Sequence, residues 1–183
     1  MDSSSADALR AASVERQRLD RESFQRAYQD VAPALRSYAR RTTGSEDIAG
    51  DIVQEAFLRI LGRPLPAMSG PELKSYLFKT ATSLMNDHWR RIAREQRWRQ
   101  LMVFGRRDSP HPSAQGAAAG TFQKLKPRER ALLWLAYVEG YSHEEIAGVF
   151  DLAEKSVRVL LFRARRKMAA LLAREHTGRE VKR

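Results

Sequence analysis

Between residues 125 and 154 the chain alternates helix starts with helix stops, and that punctuation limits the fold more than any other feature. Leu125-Lys126-Pro127-Arg128-Glu129-Arg130 opens a helix with Pro127 in its first turn, where a missing N–H costs nothing. Leu132, Leu133, Leu135, Ala136 and Val138 supply an apolar side, and Gly140 stands where a terminating glycine is expected. Ser142-His143-Glu144-Glu145 is a capping box, so a second helix starts at once, carrying Ile146, Ala147, Val149 and Phe150. After a turn at Asp151-Leu152-Ala153, a long helix is expected from about Glu154 to Ala173. Short helix, tight turn and long helix make a helix-turn-helix unit.

The long helix has two unlike faces. Val157, Leu161, Ala164, Met168 and Leu171 are spaced four, three, four, three, a seam that packs inward. Lys155, Arg158, Val159, Phe162, Arg163, Arg165 and Arg166 occupy the rest and mostly face out. Such a helix enters a DNA major groove, its N-terminal residues near base edges and its arginines on phosphates. A basic amphipathic helix that only keeps the protein soluble, or lies on a membrane, is the blander alternative. The capping box, the turn and the preceding helix favour DNA. So does the charge: 33 Lys and Arg against 22 Asp and Glu leave +11 over 183 residues, which suits a polyanionic partner.

Upstream, residues 105–120 hold Pro110, Pro112, Gly116 and Gly120 among small residues and are expected to be a flexible linker. Residues 1–18 are polar, lack an apolar period and read as a tail. The expected organisation is therefore a tail at 1–18, a block at 19–104, the linker at 105–120, a block at 121–175 and a tail at 176–183. Both blocks carry helical periods and none of period two, so the expected fold class is all-α: two small helical domains, the second a helix-turn-helix, with no sheet. In the first block Phe24, Tyr28, Val31, Leu35 and Tyr38 recur at helical spacing, with Pro33 as a kink or a new first turn. A second helix is expected from a Ser45 cap to about Leu61, and a third from Pro71-Glu72 to about Arg97.

The second helix shows two stripes. Ile48, Ile52, Val53, Ala56, Phe57 and Ile60 form a core face. Asp51, Gln54, Glu55 and Leu58, at i, i+3, i+4 and i+7, form another on roughly the opposite side. An acidic stripe bearing a leucine on so basic a protein reads either as a solvated face or as a docking surface for another protein. The third helix ends in Asn86-Asp87-His88-Trp89-Arg90-Arg91-Ile92-Ala93-Arg94, where cations and aromatics together suit unstacked bases; the alternative is Trp89 in the core and the arginines in water.

Exclusions are equally plain. Without cysteine there are no disulfides, thiolate metal sites or Cys nucleophiles. His88, His111, His143 and His176 lack ligand spacing, so no metal and no cofactor is expected. No paired carboxylates or triad suggest an enzyme. Met1-Asp2-Ser3-Ser4-Ser5 is no signal peptide, and no apolar run nears the roughly 20 residues of a membrane span, so a cytoplasmic protein with no membrane insertion is expected.

With both blocks in view, the chain resembles the extracytoplasmic-function (ECF) group of sigma-70 factors of bacterial RNA polymerase. Asp47-Ile48-Ala49-Gly50-Asp51-Ile52-Val53-Gln54-Glu55-Ala56-Phe57-Leu58-Arg59 looks like the family's helix that docks on the clamp coiled coil of the polymerase β′ subunit. Tyr76-Leu77-Phe78-Lys79 and Asp87-His88-Trp89-Arg90-Arg91 look like its segment that melts and reads the promoter −10 element. The stretch from Leu125 through Arg163-Ala164-Arg165 looks like its −35 reader. The resemblance implies a non-enzymatic specificity subunit whose partners are core RNA polymerase, promoter DNA and, as is usual in the family, an anti-sigma factor. It implies polymerase contact by Asp51, Gln54, Glu55 and Leu58. It places Ser83, Asn86, Asp87, Arg90, Arg91 and Arg94 at the −10 strand, one base of which is flipped into a pocket. Lys155, Ser156, Arg158, Val159, Phe162, Arg163, Arg165 and Arg166 would meet the −35 element. Ser83 stands where family members often carry Asn. Two rivals stay open: a dimeric helix-turn-helix regulator, which leaves the acidic stripe unexplained, and a sigma mimic that sequesters an inhibitor.

Overall fold

The computed structural model describes residues 16–17, 21–61, 65–66, 68–102 and 117–180. The N-terminal module consists of α1 (Arg21–Thr43), α2 (Glu46–Leu61) and α3 (Gly70–Met102). The C-terminal module consists of α4 (Ala117–Gln123), α5 (Pro127–Tyr137), α6 (His143–Phe150) and α7 (Glu154–Glu180). A two-residue antiparallel pair, β1 (Arg16–Gln17) with β2 (Leu65–Pro66), is added, with Arg16 opposite Pro66 and Gln17 opposite Leu65. It corrects the expectation of no sheet: two residues on each side are too few to show a period of two.

Local chemistry sets the boundaries. Pro33 lies inside a continuous α1, on its exposed side, where water serves the carbonyl that loses its partner. Gly44 ends α1 at φ +83°, a left-handed conformation that costs glycine little. Ser69 and Glu72 cap α3: the Ser69 N–H and hydroxyl both donate to the Glu72 carboxylate at 2.8 Å. The capping box of α6 forms as the sequence requires, Glu145 N–H donating to Ser142 Oγ at 3.1 Å and Ser142 N–H to Glu145 Oε2 at 2.7 Å. Asp151 then turns the chain in the left-handed region, φ 55°.

Three expected boundaries move. Helix α3 runs past Arg97 to Met102 and α7 past Ala173 to Glu180, since no proline stops either. Helix α4 begins at Ala117, within the stretch expected to be linker; three alanines outweigh Gly120 in helix propensity. Residues 105–116, and all of the expected tails except Arg16–Gln17 and the part of α7 beyond 175, lie outside the described residues.

The two modules also pack on one another. Helix α1 packs on α5 and α3 packs on α6, and the buried apolar side chains form one connected cluster. Leu35, Tyr38, Phe57, Ile60, Leu77 and Phe78 from one module join Leu132, Leu135, Ile146, Val157 and Leu161 from the other. The expectation of two small helical domains rests on the linker read at 105–120, which leaves open how the domains pack. What joins them is a second stripe on α3, in which Lys74, Phe78, Thr82, Met85 and Trp89 face the C-terminal helices.

Candidate functional site

The acidic stripe is fully displayed. Asp51, Gln54, Glu55 and Leu58 are all exposed along α2, while Ala49, Ile52, Val53, Ala56, Phe57 and Ile60 are buried beneath them. Leu58 is 51% exposed and Leu61 43%. Beside the stripe runs an open groove between α1 and α2, lined by Phe24, Tyr28, Phe57 and Leu58 and flanked by Arg36 and Glu46. The rings of Phe24 and Tyr28 lie 5.8 and 4.9 Å from that of Phe57. Tyr28, one of the residues that set the helical period of the first block, is 47% exposed and forms part of the groove wall. A surface that mixes carboxylates with an aromatic-walled apolar slot suits a protein partner bearing cations around an apolar anchor.

On α3, Ser83, Asn86, Asp87, Arg90, Arg91 and Arg94 are exposed at successive steps of three and one, so they form one stripe along the helix. Arg90 sits 3.7 Å from Asp87 and Arg91 3.9 Å from Glu95, loose pairs that leave the guanidiniums available. Asn86 lies at the edge of this stripe and also lines the cleft against Arg128 and Phe150 of the other module. Trp89 is half-buried and packed on the core, with its ring 5.3 Å from His88. Burial, and then Arg91, hold the His88 imidazole below its usual pKa, so it is neutral at pH 7.

On α7 the seam of Val157, Leu161 and Ala164 is buried against α6, with Met168 and Leu171 half-buried. Lys155, Arg158, Val159, Phe162, Arg163 and Arg166 fall on one exposed stripe, with Val159 48% and Phe162 52% exposed. Arg158 pairs with Glu154 at 2.7 Å, and the Arg166 guanidinium lies over the Phe162 ring at 5.9 Å. Ser156 is half-buried at one flank. Arg165 is set on the other flank, where it borders an apolar groove with Trp134, Tyr137 and Met168. Among the described residues no cluster of His, Asp and Glu could hold a metal, and no helix is long and apolar enough to cross a membrane.

A displayed acidic ridge on one module and a displayed basic helix-turn-helix on the other coincide with two family matches. Residues 27–95 match sigma-70 region 2, and residues 118–168 match sigma-70 region 4. The chain is an ECF member of the sigma-70 family. The ECF RNA polymerase sigma factor EcfG of Rhodopseudomonas palustris is 28% identical over 147 residues, which are 78% of this chain and 81% of that protein. The phyllosphere-induced regulator PhyR of Methylorubrum extorquens is 30% identical over 145 residues, but they make up only 48% of its length. Among solved structures, the sigma factor RpoE in complex with the anti-sigma factor NepR from Bartonella quintana superposes with a TM-score of 0.62. It is 25% identical, with 82% of this chain and 96% of that one covered.

Proposed function

We propose that this ECF factor directs core RNA polymerase to promoters by three contacts. Asp51, Gln54, Glu55 and Leu58 hold the β′ clamp coiled coil; the α3 stripe from Ser83 to Arg94 receives the opened −10 strand; the α7 stripe from Lys155 to Arg166 lies in the −35 major groove. The observation that carries this reading is the pairing, in one chain, of an acidic ridge that repels DNA with a basic helix-turn-helix that attracts it. A lone DNA-binding regulator has no use for the ridge. No step is catalytic: opening is driven by capture of unstacked bases, which exchanges stacking in the duplex for contacts on the protein. Such a factor works in the cytoplasm, where the polymerase is. A protein inhibitor of the anti-sigma kind is a natural partner, since the RpoE relative was solved with one.

The match to PhyR, a regulator of which this chain spans about half, favours one second reading, because PhyR of Bartonella quintana is an anti-anti-sigma factor solved in complex with the anti-sigma factor NepR: a sigma-like body that occupies an inhibitor instead of polymerase. Mixing the purified chain with core polymerase at micromolar concentration separates the two on size-exclusion chromatography. A sigma factor co-elutes with core; absence of any complex rejects the first reading.

A further inference from the structure

The modules meet through polar contacts that apolar packing alone does not require. Lys74 of α3 reaches across to Glu139, Nζ to Oε2 at 3.0 Å, and the Glu139 side chain is only 7% exposed. The other Glu139 oxygen accepts from Trp134 Nε1 at 3.1 Å. The same ammonium lies 5.6 Å from the Phe78 ring and 5.9 Å from the Tyr141 ring, and those two rings are 5.6 Å apart. At the other end of the interface, Gln123 Nε2 donates to the Arg41 carbonyl at 3.0 Å, near the C-terminus of α1. Its Oε1 accepts from Arg130, a guanidinium buried to 5% exposure. A Cβ placed on Gly44 would come within 3.0 Å of that same Oε1. Thr42 Oγ1 and Trp89 Nε1 in the cleft have no protein partner among the described residues, so closure also carries a desolvation cost that separation would return.

We infer that Lys74–Glu139 and Gln123–Arg41 are a latch that holds the free factor closed, in a form that cannot bind a promoter. The inference rests on the sigma reading. Elements at −35 and −10 are about 25 base pairs apart, about 85 Å along duplex DNA at about 3.4 Å per pair. A compact body of 183 residues has a radius of gyration of about 16 Å and is about 40 Å across. With α3 packed on α6, the stripes on α3 and α7 sit within one such body, so both elements are reached only after the modules part. The Lys74 charge, paired across the interface and solvated when released, makes the latch one that a competing partner surface can open.

The chain lacks cysteine, so Asp30→Cys and Ala170→Cys, both exposed and outside the proposed contacts, place two spin labels uniquely, one on each module. Pulsed electron–electron resonance on the full chain then gives the distance between modules. The wild-type background is expected to show one narrow population within about 40 Å. Lys74→Glu is expected to shift most molecules to longer, broader distances with helix content unchanged, Gln123→Ala to shift them partway, and Lys74→Glu with Glu139→Lys to recover the short population. A broad long-distance distribution in the wild-type background, or a Lys74→Glu distribution that keeps the short population of the wild-type background, overturns the latch. Promoter-dependent transcription with core polymerase is followed in parallel. Opened distances without any transcript from either protein would sink the sigma reading and leave the latch standing; transcripts with unmoved distances would do the reverse.

Discussion

Leu58→Ala tests the docking ridge where its effect is least confounded by charge. Leu58 is 51% exposed, so about half of its apolar surface is already covered by the fold and half is free for a partner. Complete burial of a leucine side chain is worth about 1.5–3 kcal/mol, so covering the free half should contribute about 0.8–1.5 kcal/mol to binding. Truncation should then raise the Kd for core polymerase about fourfold to twelvefold. Because the removed atoms are largely solvent-facing in the free protein, thermal stability should hardly change. Asp51→Ala with Glu55→Ala should weaken binding too, but through charge, so that loss should shrink as salt rises while the Leu58 effect persists. Anisotropy of a labelled chain titrated with core polymerase, at low and raised salt, reads both. A Kd within twofold of wild type for Leu58→Ala, together with a lowered melting temperature, would show that Leu58 serves the fold and not a partner.

Arg163→Ala should lower affinity for a −35 duplex by about 1–3 kcal/mol if the side chain reads a base, and should instead flatten the salt dependence if it holds a phosphate; filter binding across a salt series distinguishes these. Ser142→Ala removes the hydroxyl that accepts from Glu145 N–H at 3.1 Å, and should cost about 1 kcal/mol, or about 2–4 °C in melting temperature by calorimetry. Burial pushes the Tyr141 phenol up to about 12 and raises Tyr38 as well. Their folded pKa values lie above the unfolded value near 10, so the stability they confer is intact below about pH 10 and is lost as pH climbs towards about 12. Circular dichroism melts should fall across that window, and less steeply in Tyr141→Phe; a flat profile would contradict the burial of these rings.

What the sequence makes legible is what is encoded locally. Ser142 with Glu145, Pro127 and Gly140 act within a turn or two of themselves, so the helix-turn-helix follows from spacing alone. The two stripes of α2 are legible for the same reason. The join between modules is not, because its contacts pair distant residues of unremarkable type. Lys74 and Glu139 carry no mark in their own helices that singles out one another. Arg130 reads as one more cation at a basic helix start, yet it is buried on Gln123. The aromatic wall of the docking groove is not legible either, because Phe24 and Tyr28 only share the helical period of α1, which does not reveal that Tyr28 stays half outside. Arg165 shows the converse limit: it belongs to the basic run by sequence, but helical geometry turns it towards an apolar groove.

The most direct test of promoter direction is transcription in vitro from fragmented genomic DNA of the source organism, with core polymerase alone and with core polymerase plus this chain, the start sites being mapped in each case. A discrete set of starts that requires the chain, preceded by a shared pair of elements near −35 and −10, is the predicted result. Identical starts with and without the chain would contradict the account.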